Sequence, residues 1–340
     1  MEEKENIISN YQTNQKQKIY LALGLIGLII LAVIWSLVTG AVKLSLEEIF
    51  AVLSGVGTKK ARAIILNIRL PRILTALVAG GGLAISGAVM QSMLRNPLGS
   101  PYTLGISHAA AFGAALSIII FGSEGWTALL AFLAALLTTI IIVAVAKYKN
   151  ARTETMILTG VALGSLFTAG TTALQYFASD VQIASIVFWT FGDVGRVVWR
   201  ELGVIVAVVF LCGAYFIYNS WNYNALDAGD ETAKSLGVAV DKIRLGGMFA
   251  ASLVTAGLVS LVGIIGFVGL VAPHIVRMII GGNEKYLLPL SALSGGLLLL
   301  VSDTTARTII APIVLPVGIL TSFLGVPLFL YLIIKGRTYW

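Results

Sequence analysis

Residues 68–113 constrain this chain more than any other stretch. They open on Arg69 and Arg72, which flank Pro71, and continue as an apolar run rich in small residues (Gly80, Gly81, Gly82, Ala84, Ser86, Gly87, Ala88). The run breaks at Arg95-Asn96-Pro97 and Ser100-Pro101 and turns apolar again from Leu104. Small residues let helix backbones approach closely in a bilayer. A proline-broken turn between two such runs needs protein or water around it, because lipid satisfies no freed backbone group. The stretch therefore predicts a membrane helix packed on all sides, not one facing lipid.

The remaining sequence extends this reading to the whole chain. Its 340 residues are 58% hydrophobic and 11% charged, where a soluble domain carries about 25% charged residues. The apolar runs are long and unbroken, unlike the short alternating segments of a membrane β-barrel. The expected fold is an all-α polytopic membrane protein of about ten transmembrane helices, near 19–39, 68–93, 104–122, 125–147, 155–177, 200–219, 244–262, 264–281, 287–305 and 314–334. Residues 1–18 are polar and read as a mobile cytoplasmic tail, leaving 19–337 as the membrane domain. The first run is too long for a signal-peptide core and lacks a small-residue cleavage site.

Between the first two spans, Ser45-Leu46-Glu47-Glu48 marks a helix start, followed by a loop over residues 55–60, both placed outside as an interfacial element. The aromatic and charged segment 178–199 suits the outer interface, where Trp sits at headgroup level. The longest polar loop, about 221–244, contains a short helix over 230–238 ended by Gly237. Cys212, inside an apolar run, reads as a small core residue.

A net charge of +7 would suggest nucleic acid in a soluble protein. Here it reflects basic loops facing the cytoplasm and anionic lipid. Lys147, Lys149, Arg152, Lys234, Lys242, Arg244, Lys335 and Arg337 place both termini inside a multi-pass protein of the cytoplasmic membrane. By the same count Lys59, Lys60, Arg62, Arg69, Arg72, Arg196 and Arg307 fall outside against the rule and need another task. A weak echo relates residues 72–87 to 244–263. Five spans separate the two, so the halves would be inverted, as in many transporters. Asp303, an ionisable group near the end of a span, is a functional candidate by default, with Arg307 one turn on as a partner. Paired acids and histidines within the spans are too few for hydrolytic or redox chemistry, so no catalytic or metal-binding residue is expected, and His108 and His274 read as structural.

Four ordered blocks make the sequence more specific. The first is Arg69-Leu70-Pro71-Arg72 with Gly87, Gln91, Asn96-Pro97, Pro101 and Gly105. The second comprises Asn224, Gly229, Glu231, Ala233 and Leu236-Gly237-Val238. The third is residues 266–274 with Pro273-His274 and Arg277, then Leu287-Leu288-Pro289. The fourth is Asp303, Ala306-Arg307, Pro316-Val317-Gly318, Gly325 and Pro327. Together, over roughly residues 60–337, they resemble the FecCD family of ABC importer permeases, which take up iron–siderophore complexes, haem and vitamin B12. The chain departs from the family pattern at His108 (often Gly or Ser), Asn283-Glu284-Lys285 (often Asp-His-Arg), Val314 (commonly Glu) and Gly192-Asp193 (usually Gly-Ser).

The resemblance implies a homodimer, or a pair with a sister FecCD permease, that passes an iron(III) complex through its two-fold interface. Cobalamin is the alternative cargo, and a proton-coupled secondary transporter using Asp303 the remote alternative mechanism. It implies ATPase subunits on the cytoplasmic side, carrying ATP and Mg, and an extracytoplasmic solute-binding protein docked outside. No Gly-x-x-x-x-Gly-Lys-Ser/Thr phosphate loop occurs here, so this chain is expected to be a transporter subunit, not an enzyme, with no cofactor of its own. Arg69, Arg72 and Arg307 match arginines that receive glutamates of the binding protein, a pairing suited to guanidinium geometry. Residues 224–238, with Glu231 and Lys234 as polar contacts, match the helices that couple to the ATPase.

Overall fold

The fold, a computed structural model that describes residues 2–40, 42–122, 124–149 and 152–335, begins with an unbroken helix, α1 (Glu2–Val38). The polar segment expected as a tail is thus helical and continuous with the first span. No Gly or Pro precedes Gly24, and Glu, Lys and Gln are good helix formers. The short helix α2 (Leu46–Leu53) starts where the sequence places it. Ser45 Oγ accepts from Glu48 N at 3.1 Å, and Glu48 Oε2 accepts from Ser45 N at 2.9 Å.

The second span differs from expectation. α3 (Lys59–Ala63), a wide π-helical turn (Ile64–Arg69) and α4 (Leu70–Leu94) run on as one helical rod that starts well before residue 68. Pro71 has no N–H to close an ordinary turn, and the wide turn lies immediately before it. After α4 come α5 (Ile106–Phe121), α6 (Thr127–Tyr148), α7 (Thr153–Phe177) and α8 (Asp180–Thr190), the last within the aromatic interface segment. Next are α9 (Trp199–Tyr218), the short α10 (Ser220–Asp227) and α11 (Asp230–Ser235), then α12 (Val240–Val262), α13 (Val268–Ile280), α14 (Glu284–Thr308) and α15 (Val317–Lys335). The polar loop therefore holds two short helices instead of one. Among the described residues, seven helical stretches are long and apolar enough to cross a membrane, and α5, α13 and α15 are shorter apolar helices that complete the ten. Arg337 lies outside the described residues.

The sequence's central stretch is also the centre of the fold. Every residue of α4 from Ala79 to Leu94 is buried. Against lipid there is no hydrophobic drive between helices, so close packing has to hold them. The small residues provide it: a Cβ on Gly87 would overlap the carbonyl of Gly269 in α13, and one on Gly80 the carbonyl of Gly295 in α14. α4, 25 residues long, spans about 37 Å at 1.5 Å per residue, enough to join the two faces of a bilayer core of about 30 Å.

The echo between the halves has a structural counterpart. α4 and α12 pack antiparallel. Arg244 Nε, at the start of α12, donates to Met93 O at the end of α4 at 3.1 Å. Asp193, paired with Arg72 at the start of α4, donates its own N–H to Val262 O at the end of α12 at 2.7 Å. Each of these helices leads into a short helix that begins at a left-handed residue, Gly105 (φ 76°) before α5 and Phe267 (φ 65°) before α13. α4 packs against α13 and α14 as α12 packs against α5 and α6. This is an inverted repeat built around α4 and α12.

Candidate functional site: two polar poles and an apolar cavity

At one end of α4, Arg72 and Arg307 close on one carboxylate, with Arg69 held beside them. Asp303 is fully buried. It accepts from Arg72 Nε at 3.0 Å and from Arg72 Nη2 at 2.8 Å, while Arg307 Nε donates to its other oxygen at 3.1 Å. Asp193 lies 3.2 Å from Arg72 Nη2. Arg307 also donates to Ser36 Oγ at 2.7 Å, and the buried Arg69 to the carbonyls of Leu37 and Val42. A buried charge is tolerable only when paired and hydrogen-bonded, and this arrangement satisfies both conditions. The sequence brought Arg69, Arg72, Arg307 and Asp303 to one place and proposed the Asp303–Arg307 pair, which forms. It missed Arg72 as Asp303's bidentate partner, 231 positions away in the chain. Within the chain the guanidinium groups of all three arginines are largely engaged.

The other end of α4 carries a second, partly buried network. Arg244 closes on Asp230 through two hydrogen bonds of 2.6 and 3.0 Å and holds Met93 O as well. The Arg244 contact keeps the Asp230 carboxyl below its usual range. Arg277 Nη2 lies 3.1 Å from Glu284 Oε1, and Nη1 lies 3.9 Å from Asp227. Ser92 Oγ donates to Asp227 at 2.6 Å, and Asn224 Oδ1 accepts from Glu284 N at 2.8 Å. Burial pushes the Asp227 carboxyl up, against the opposing pull of Ser92 and Arg277. Of these residues the sequence singled out Asn224, Arg277 and Arg244. Asp227, Asp230 and Glu284 are read as ordinary loop charges until the fold pairs them with arginines, and of the three only Glu284 is fully buried.

The predicted coupling segment sorts into two faces. Ala233 is buried, whereas Glu231, Lys234, Leu236 and Gly237 are exposed, with Leu236 53% accessible. Gly229 and Gly237 take left-handed backbone (φ 111° and 81°) that delimits α11.

The remaining motif residues are structural. Gln91 Nε2 donates to Pro97 O at 3.1 Å and to Leu270 O at 3.3 Å, tying the broken turn to α13. Asn96 Oδ1 accepts from Leu98 N at 2.9 Å, and Pro101 follows in the same turn. Gly105 and Gly318 sit against the backbones of α7 and of residues 191 and 264. Pro316 stands just ahead of α15. Pro273 lies inside α13, and His274 makes no hydrogen bond, packing edge-on to Phe329 with ring centroids 6.2 Å apart. Among the described residues no three His, Cys, Asp or Glu side chains form a metal-ligating group.

Between the poles a cavity of about 610 Å³ opens beside α15, walled by Tyr102, Phe191, Phe267, Ser322, Phe323 and Val326. Large apolar side chains on α7 and α15, such as Leu158, Leu166, Phe323 and Leu330, are exposed.

A helical membrane protein with an inverted repeat, an apolar cavity between its polar poles and a short helical pair exposed at one face is of the transporter class. The chain belongs to the FecCD transport family, which matches residues 28–335. It is 51% identical, over 97% of its length and 98% of the relative, to a protein of Methanocaldococcus jannaschii provisionally described as an ABC transporter permease. It is 39% identical, over 80% of its length and 83% of the relative, to the hemin transport system permease protein HmuU of Yersinia pestis. A solved inward-facing structure, titled as a provisionally assigned metal-chelate type ABC transporter, matches with a TM-score of 0.84 at 34% identity, covering 92% of this chain and 98% of that one. The chain is a multi-span permease of an ABC importer, of the kind that takes metal-chelate, haem, vitamin B12 or iron-citrate substrates across the cytoplasmic membrane.

Proposed function

We propose that this permease carries an iron(III) complex, a siderophore chelate or haem, inward through a two-fold interface formed by the exposed faces of α7 and α15. Partner ATPases supply the energy. The carrying observation is the division of labour across the fold: an apolar cavity large enough for part of a chelate, and at one end the exposed α11 face of Glu231, Lys234 and Leu236 for the ATPase. The cavity's apolar wall suits a bulky, weakly held passenger. The hemin transport named for one relative supports a chelated-iron cargo, and the vitamin B12 import named for another keeps cobalamin as the second reading.

In this reading the face bearing α10 and α11 is cytoplasmic, both termini lie on that side, and a solute-binding protein docks at the Asp303 pole. Three arginines against two aspartates leave that pole with net positive charge, which steers an acidic partner. Docking through Arg69, Arg72 and Arg307 requires the partner's carboxylates to share or displace Asp303, so it tightens or loosens the α4–α14 contact directly.

The test is uptake of labelled iron–siderophore, haem and cobalamin by cells with and without the gene, each with and without ATP depletion. Loss of iron-complex uptake that depends on ATP is expected. Loss of cobalamin uptake alone would change the passenger, and uptake that survives ATP depletion but collapses with the proton gradient would refute the ABC mechanism.

A further inference from the structure

α13, like its counterpart α5, is set off from its neighbours at both ends. Left-handed residues bound it on both sides, Phe267 (φ 65°) before it and Gly281 (φ 82°) after it. Residues 263–266, which join it to α12, are not helical. It is therefore a rod of 13 residues, about 20 Å long, free of helical continuity with its neighbours. Arg277, its one charged residue, is buried near the end away from Phe267 and reaches Asp227 of α10 and Glu284 of α14. At the opposite end Phe267 walls the cavity and packs its ring on Gly325 of α15. A bulky residue with positive φ is a genuine backbone outlier. Such strain persists only where the surroundings over-determine it, and it concentrates at clamps and switches.

We infer that α13 is a lever whose handle is Arg277 and whose working end is Phe267. Displacing α10 moves Asp227, hence Arg277, hence the Phe267 ring against α15, and this opens or closes the cavity toward the α10 face. Glu284 is the positioning residue: it fixes Arg277 on the base of α14 so that motion of α10 turns α13 and not the guanidinium alone. A motion of this kind biases a discrete packing arrangement, a physical warrant for coupling that proximity by itself does not supply. The inference rests on the proposal that α10 and α11 receive the ATPase.

The test uses the permease reconstituted in liposomes with its cognate ATPase and solute-binding protein, carrying Ser322→Cys on the cavity wall in a Cys212→Ala background. A membrane-impermeant methanethiosulfonate reagent trapped on the ATPase side reports access to position 322, nucleotide-free and after vanadate trapping with ATP. For the parent, modification rates in the two states should differ at least about fivefold. Phe267→Gly, which accepts positive φ without strain, should raise access in both states and erase the difference. Glu284→Ala should erase the difference while ATP hydrolysis stays within about twofold of the parent, and Glu284→Gln, which keeps an acceptor for Arg277, should restore it. An assembled Glu284→Ala complex that keeps the full nucleotide-dependent difference would overturn the lever. So would unchanged access in Phe267→Gly, which stands as the second route should Glu284→Ala not assemble. A parent complex that neither hydrolyses ATP nor changes access would instead refute the importer reading beneath it.

Discussion

Replacing Asp303 by Ala puts the packing of the permease to its most direct test. The substitution removes the acceptor of four hydrogen bonds, three from Arg72 and one from Arg307. Two guanidinium groups are then left beside each other, with only Asp193, at 3.2 Å from Arg72, to offset them. Breaking a buried ion pair by deleting one partner costs about 3–5 kcal/mol, mostly from the charge left unpaired. For a chain this long the loss corresponds to a fall of roughly 4–7 °C in unfolding temperature. The assay is thermal unfolding of the purified permease in nanodiscs, at low and high salt. Because the pair is buried, salt should change the loss little. Asp303→Asn, which retains one acceptor oxygen, should lose less. The double variant Asp303→Ala with Arg72→Leu should recover part of the loss, since it removes the stranded charge as well. A fall of under about 2 °C for Asp303→Ala, or a double variant less stable than the single, would refute the argument that unpaired charge, and not lost packing, sets the cost.

Gly87→Ala should cost about 1–3 kcal/mol or more through overlap with the Gly269 carbonyl. Gly213→Ala on α9, where a Cβ meets nothing within 4 Å, should be tolerated, and the two can be compared by yield of monodisperse protein. Ionised Asp230 stabilises the α11 segment through Arg244. Its folded-state pKa is lowered, so that support is complete above the free-carboxylate value near about 4 and is lost as pH falls through the lowered pKa. Hydrogen exchange over residues 228–240 should therefore rise only in acid, and Asp230→Asn should show the raised exchange already at neutral pH. Leu236→Glu together with Glu231→Lys should reduce co-purification of the ATPase at least about tenfold, about 1.4 kcal/mol, without changing the unfolding temperature of the permease alone. Retained co-purification would place the ATPase contact elsewhere.

Much of this organisation was legible along the chain because bilayer physics acts on local composition. A run of some twenty apolar residues spans, a run of small residues packs, and a basic residue at a span end needs a reason to be there. On those grounds most of the spans and the centrality of residues 68–113 could be read directly. The boundaries were less legible. The helical rod that begins at Lys59, the two helices within 220–235 and the helix at 180–190 depend on how turns are absorbed and capped, which composition does not record.

What only the tertiary structure decided is the partnership of the buried charges. Arg72 and Asp303, Arg277 with Asp227 and Glu284, and Arg244 with Asp230 each join different elements, and a carboxylate in a loop looks the same in sequence whether water or a guanidinium will face it. The same holds for Phe267, whose left-handed backbone and place on the cavity wall leave no trace in its neighbours' identities. The sequence by itself determined which segments enter the membrane and which of them pack tightly, since the cost of unsatisfied backbone and the benefit of close contact are paid residue by residue. The fold decided which charges may stay there, because a charge survives in a low-dielectric interior only through partners that chain folding brings to it.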